Sequence, residues 1–172
     1  MNSIISLISK KAVALLCVIT AAMCLVSCSH GSDTLDISMY DLSKAMLASS
    51  DKFGDMSYAS SDDSDKEKLF KNVSDMDYSK VDKFFISYAT DGSKNADEIV
   101  VIQLKSNDDV SAAKDSLNKH LEYRKSLYAT YMPSQSSKLL KAKVIAYSNI
   151  VCLIVADDVG SAEDAFYKIC KQ

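Results

Sequence analysis

Tryptophan is absent from the 172 residues, histidine occurs twice, proline once and glycine four times. So few prolines and glycines exclude a collagen, a proline-rich linker and a glycine-rich tail. No group of Cys, His, Asp and Glu has the spacing of a zinc site, so no metal is assigned. A glycine-rich phosphate cradle and a Gly-x-Ser-x-Gly elbow are both missing, which removes the common nucleotide-binding loop and the α/β-hydrolase nucleophile. There is no basic excess either. Twenty Lys and Arg stand against 23 Asp and Glu, a net charge of −3. A nucleic-acid binder exchanges a surplus of cations for counterions, so nucleic acid is not an expected partner. What is there, 48% hydrophobic and 25% charged residues, suits a globular α+β domain.

The first residues read as a segment apart from that domain. Lys10 and Lys11 supply a positive start, and Ala12 to Cys24 is an uncharged apolar run ending in small residues. This is a secretory signal pattern, too short for a membrane span of about 20 residues. Leu25-Val26-Ser27-Cys28 resembles the lipobox of bacterial lipoproteins. The resemblance implies cleavage between Ser27 and Cys28 and a diacylglycerol on the Cys28 thiol. Two acyl chains hold a protein stably on a bilayer. The expected organisation is a signal peptide over 1–27, a lipidated cysteine and flexible tether over 28–36, and a single α+β domain over 37–172. Loss of the leader removes two lysines and no acid, leaving a net charge of −5. The expected location is the extracytoplasmic face of the cell membrane. Cys152 and Cys170 alone would remain as thiols. Such a compartment allows them to pair, and their apolar surroundings equally suit small core residues.

The periodicity of the mature part gives the order α, β, short α, ββ, α, ββ, α. Ser38 with Asp41 opens a helix over about 39–51, and Ser64 with Glu67 opens a short one through Leu69, Phe70 and Val73. Phe53 to Tyr58 suggests a short strand. Asp82 to Thr90 and Glu98 to Leu104, rich in β-branched and aromatic residues, flank a Gly-containing turn and predict a hairpin. Val110, Ala113, Leu117, Leu121, Arg124 and Tyr128 recur at helical spacing and predict a helix over about 108–129. Lys141 to Tyr147 and the wholly apolar Ile150 to Ala156 predict a second hairpin. The latter has the pattern of a central strand covered on both faces. Ser161 with Asp164 caps a last helix. Two hairpins, each followed by a helix, imply a mainly antiparallel sheet with helices packed on one face, a two-layer sandwich.

Several of these segments carry a resemblance. The lipoprotein start, Glu98-Ile99, Arg124-Lys125 on the long helix, Tyr128 to Pro133, the Ile150 to Ala156 strand and Asp157-Asp158 together are similar to the DUF4358 lipoproteins over about residues 37–170. The resemblance implies fold and location and supplies no activity.

The chemistry-bearing residues assign no catalytic group and no cofactor. His120 sits beside the apolar face of the long helix, the usual place of a packed or rim histidine. Ser111-x-x-Lys114 and Ser116-x-x-Lys119 match the serine-lysine spacing of penicillin-recognising enzymes, but no Lys-Thr-Gly accompanies them. Asp63, Asp65 and Glu67 imitate the first ligands of a calcium loop, yet Lys68 and Ser74 stand where its glycine and bidentate glutamate belong. Tyr123, Arg124, Tyr128, Tyr131 and Met132 are residue types that anchor interfaces. Tyr128 and Tyr131 equally suit a cover over the core. The expectation is a non-enzymatic binding or accessory module that meets an envelope protein or glycan. The other reading is an envelope hydrolase whose site no motif reveals.

Overall fold

A computed structural model describes residues 34–172. The leader, Ser27 and Cys28, and the tether up to residue 33 lie outside the described residues. The protein is α+β, built on a five-stranded antiparallel sheet of order β1-β2-β3-β5-β4. In chain order the elements are α1 (Met39–Leu47), β1 (Met56–Ser60), α2 (Lys66–Lys71), β2 (Val81–Ala89), β3 (Glu98–Leu104), α3 (Val110–Tyr131), α4 (Ser136–Lys141), β4 (Lys143–Tyr147), β5 (Ile150–Val155) and α5 (Val159–Cys170).

The two expected hairpins are present, but helices cover both faces of the sheet rather than one. Every residue of β3 and β5 is buried. Side chains alternate across a strand, so an unbroken apolar run must bury both of its faces. Val100, Ile102, Leu104, Phe84, Ile86, Val151 and Leu153 point into one core, with Phe70 of α2, Ala113, Leu117 and Leu121 of α3, and Leu139 of α4. Ile99, Val101, Phe85, Ile150, Cys152 and Ile154 point into a second core closed by Met39, Leu42 and Met46 of α1 and Val159, Ala162 and Phe166 of α5. The arrangement has three layers. The expected two-layer sandwich fails because it leaves the Ile99, Val101 and Ile154 face without a cover.

Local chemistry explains the boundaries. Ser38 caps α1 by accepting from the Asp41 amide at 3.2 Å, and the helix stops at Leu47 rather than 51. Asp65, not Ser64, precedes α2. Asp158, not Ser161, caps α5; its carboxylate accepts from the Ser161 amide at 3.1 Å and takes the Ser161 hydroxyl as well. The last helix therefore begins at Val159 and runs through Gly160. Helix α4 falls in the polar stretch after Pro133, where periodicity gave no signal; its one buried apolar residue is Leu139. Cys152 and Cys170 are buried free thiols in the second core, and burial pushes Cys152 well up and Cys170 up to about 11.

The β4–β5 turn shows how one residue's duties constrain its neighbour. Asn149 would suit the left-handed conformation of a tight hairpin, but its side chain is committed to the Leu35 amide (2.7 Å), the Leu35 carbonyl (3.1 Å) and the Leu104 carbonyl (2.7 Å). Ser148 takes the positive φ of 49° instead. This clamp fixes where the chain comes into the domain: Leu35 at Asn149, and the Ile37 amide on Gln103 near the far end of β3.

Candidate functional site

At the opposite end of β3 the alternation that buries Leu104, Ile102 and Val100 continues to Glu98, a carboxylate in the fourth inward position. The stripe of α3 that supplies Leu117 and Leu121 continues to Arg124 and Tyr128. Strand and helix thus carry opposite charges to one buried point. Arg124 Nη1 lies 2.7 Å from Glu98 Oε2, as a close charge contact rather than an aligned hydrogen bond. His120, one turn earlier on α3, puts Nε2 2.9 Å from the same oxygen. The other guanidinium nitrogen, Nη2, donates to the Ala96 carbonyl at 3.1 Å and to the Tyr128 hydroxyl at 3.3 Å. Tyr128 passes its own hydrogen to the Gly92 carbonyl at 3.2 Å.

A second buried pair braces the β2–β3 connection. Lys138 of α4 lies 2.7 Å from Asp97 and donates to the Asn95 side-chain oxygen at 2.8 Å. The Asn95 amide returns to Asp97 at 2.7 Å, and Asp157 reaches Lys138 at 3.3 Å. Arg124, Tyr128 and Lys138 therefore hold the Asp91–Asp97 loop from two helices.

Between these groups and α2 opens a cleft of about 340 Å³. Its floor is Ile86, with Leu69, Val73 and Ala59 to one side; Glu98, His120 and Arg124 form the far wall, and Tyr88 and Asn72 stand at the mouth. Burial works to raise the Glu98 carboxyl, but the His120 hydrogen bond and the Arg124 and His120 charges outweigh it and hold the group below its ordinary value of 4.5. A carboxyl depressed in the folded state stabilises fully above its unfolded value and loses that contribution as pH falls through the folded one. We expect wild-type stability, followed by urea unfolding, to decline below about pH 4.5, and the decline to be shallower in Glu98→Gln. It would persist in part, because exposed Asp36, Asp75 and Asp77 and half-buried Asp158 are also lowered by their partners. Identical slopes in both proteins would remove Glu98 from the acid response.

The structure divides the expected partner surface. Arg124 and Tyr128 face inward, at 9% and 8% exposure, while Tyr123 and Tyr131 project into solvent. Met132 is half-buried against the first core. Tyr131 and Met132 also border, with Leu127, Tyr128, Gly92 and Ser93, a separate shallow hollow. The covering role holds for Tyr128 and not for Tyr131. His120 is a packed histidine, but one engaged with a buried carboxylate. Lys119 does not meet Ser116; both bind Asp75, Lys119 at 3.0 Å and the Ser116 hydroxyl at 2.7 Å. That serine-lysine spacing is a tie between α3 and the segment after α2. Asp63 accepts from the Ser60 amide as a loop brace, and among the described residues no group of three or more His, Cys, Asp and Glu could hold a metal. Sequence reasoning placed Glu98 and Arg124 on separate elements without pairing them. The available signal was two opposite charges, each on an inward-facing position.

The fold and site define an α+β domain whose antiparallel sheet ends in a cleft with an aliphatic floor and a wall of buried ion pairs. Residues 54–156 match the domain of unknown function DUF4358, and the chain belongs to that family. The match runs from β1 through β5 and leaves out α1 and α5, a narrower span than 37–170. No curated protein and no solved structure matches the chain. Glu98, Arg124 and Tyr128, all quoted for the resemblance, meet at the cleft wall, and Asp157 joins the Lys138 brace.

Proposed function

We propose that this protein is a lipoprotein anchored through Cys28 to the extracytoplasmic face of the cell membrane, with a domain that serves as a binding module of the envelope. The observation that carries the binding role is the cleft: part apolar, part hydrogen-bonding, its charged groups paired within the protein, and lined by elements that the buried pairs tie together. Pre-formed concave sites with a few convergent polar groups are the usual seats of ligands. Its position supports the same reading. The chain comes into the domain at Asn149 and Gln103, and Glu98 lies roughly 17 Å away along β3. A chain arriving at Leu35 joins the domain at the end of β3 opposite the cleft. Among the described residues no helix is long and apolar enough to cross a membrane; the proposed attachment is carried by the Leu25 to Cys28 signal.

The test is crosslinking in intact membranes followed by recovery and intact-mass analysis of wild type, Cys28→Ala and Tyr88→Ala. The expected wild type carries the diacylglyceryl mass, fractionates with membranes and recovers a defined envelope component that Tyr88→Ala loses. An unmodified Cys28 overturns the anchor. A recovery indifferent to Tyr88→Ala overturns the cleft as the binding surface.

A further inference from the structure

The cleft's electrostatics narrow what it can take. Glu98 is closed by Arg124 and His120 on one oxygen, and Asp97 by Lys138 and Asn95. A charged ligand meets both signs together at this wall, and pairing fully with one group at its partner's expense would separate Glu98 from Arg124 or Asp97 from Lys138. Either leaves a buried charge unpaired, which is strongly unfavourable. The buried pairs therefore select against both signs of charge.

The groups that remain available are of another kind. Among the described residues the Tyr88 hydroxyl and the Asn72 side-chain amide have no hydrogen-bond partner, and both residues are open to solvent at the mouth. His120 uses Nε2 on Glu98, and among the described residues its second ring nitrogen makes no hydrogen bond. The floor beneath them offers aliphatic carbon from Ile86, Val73 and Leu69, and the volume lies at the small end of the range for sites that enclose small molecules. An occupant that satisfies floor and mouth together is uncharged, compact, apolar on one face and rich in hydroxyl or amide groups along its edge. Resting on the binding-module reading above, we infer that the Glu98–His120–Arg124 cleft binds a neutral sugar unit, with its C–H face on Ile86 and Val73 and its polar edge toward Tyr88, Asn72 and His120. The ion pairs position the wall and enforce neutrality without contacting the ligand as charges.

Saturation-transfer NMR on the full chain, held in a zwitterionic detergent free of sugar head groups, tests this directly. The probes are methyl glucoside, methyl galactoside, N-acetylglucosamine and its β1,4-linked dimer, with glutamate and inorganic phosphate as charged competitors. We expect transfer to at least one saccharide, no displacement by glutamate or phosphate at equal concentration, and affinity about tenfold weaker in both Tyr88→Ala and Asn72→Ala. Thermal unfolding of Asn72→Ala should match wild type, while Tyr88→Phe, which removes only the hydroxyl and should weaken binding as well, controls for the packing of a ring that is 41% exposed. Transfer to no saccharide, displacement by either anion, or binding that survives both substitutions overturns the inference. If saccharides fail while envelope capture remains Tyr88-dependent, the binding module stands and only the sugar assignment falls.

Discussion

Arg124→Met should cost about 3–5 kcal/mol of folding stability, as expected when one partner of a buried ion pair is removed and the other is left behind. Methionine keeps much of the arginine stem's apolar packing, so the loss isolates the guanidinium. That group compensates Glu98 from 2.7 Å and also bonds the Ala96 carbonyl and the Tyr128 hydroxyl. His120 alone would then face a carboxylate that is 6% exposed. The double variant Glu98→Gln/Arg124→Met should recover most of the loss, since exchanging a whole buried pair for uncharged side chains is often close to neutral. Urea unfolding of the three proteins near neutral pH provides the comparison. A single variant within about 1 kcal/mol of wild type, or a double variant no more stable than the single, would show that the pair is not what holds this end of α3 to β3.

Ile99→Ala and Ile102→Ala should each cost about 2–5 kcal/mol, although the two side chains leave β3 on opposite faces. Both are fully buried, Ile99 beneath α1 and α5 and Ile102 beneath α2 and α3. Because they lie in different cores, the losses should add to within roughly 0.5 kcal/mol in the double variant. A two-layer sandwich predicts something quite different: one of the pair would face solvent and its substitution would stay within about 0.5 kcal/mol of neutral. Equilibrium unfolding of both single variants therefore tests the third layer.

How much of this was legible beforehand depends on which signals are local. The hairpins were, because β-branched runs and turn residues are set by neighbours in the chain: Glu98–Leu104 has the expected bounds, and the others agree to within about two residues. The burial of Ile150 to Val155 on both faces was readable as well. The same inference was not extended to the layers as a whole, because which face a helix covers depends on the path of its connection and leaves no periodic trace. Helix α4 was hidden by its composition; the single buried leucine of Ser136–Lys141 gives no stripe. The site was half legible. The spacing puts Arg124 and Tyr128 on one stripe of the long helix and suits Tyr128 to a cover over the core, while their residue types suit a surface anchor, since tyrosine and arginine favour interfaces. The register that puts them in line with Leu117 and Leu121 instead turns them inward, toward a glutamate 26 residues earlier in the chain. Pairing across that separation is a property of the packed helix and sheet, not of either segment.

The placement of α1 and α5 also bears on timing. These helices lie near the two ends of the described chain, yet they pack against each other on one face and together close the second core. Phe166 and Cys170 follow all five strands in the chain and are therefore synthesised after them. Until they emerge, Phe85, Ile99, Val101 and Ile154 have only part of their cover, even when the first core is complete on the other side of the sheet. The half-built domain would carry a greasy slab for the interval between the synthesis of β5 and that of α5. A chaperone that shields unfinished chains would find its grip there, and would be released by the arrival of α5.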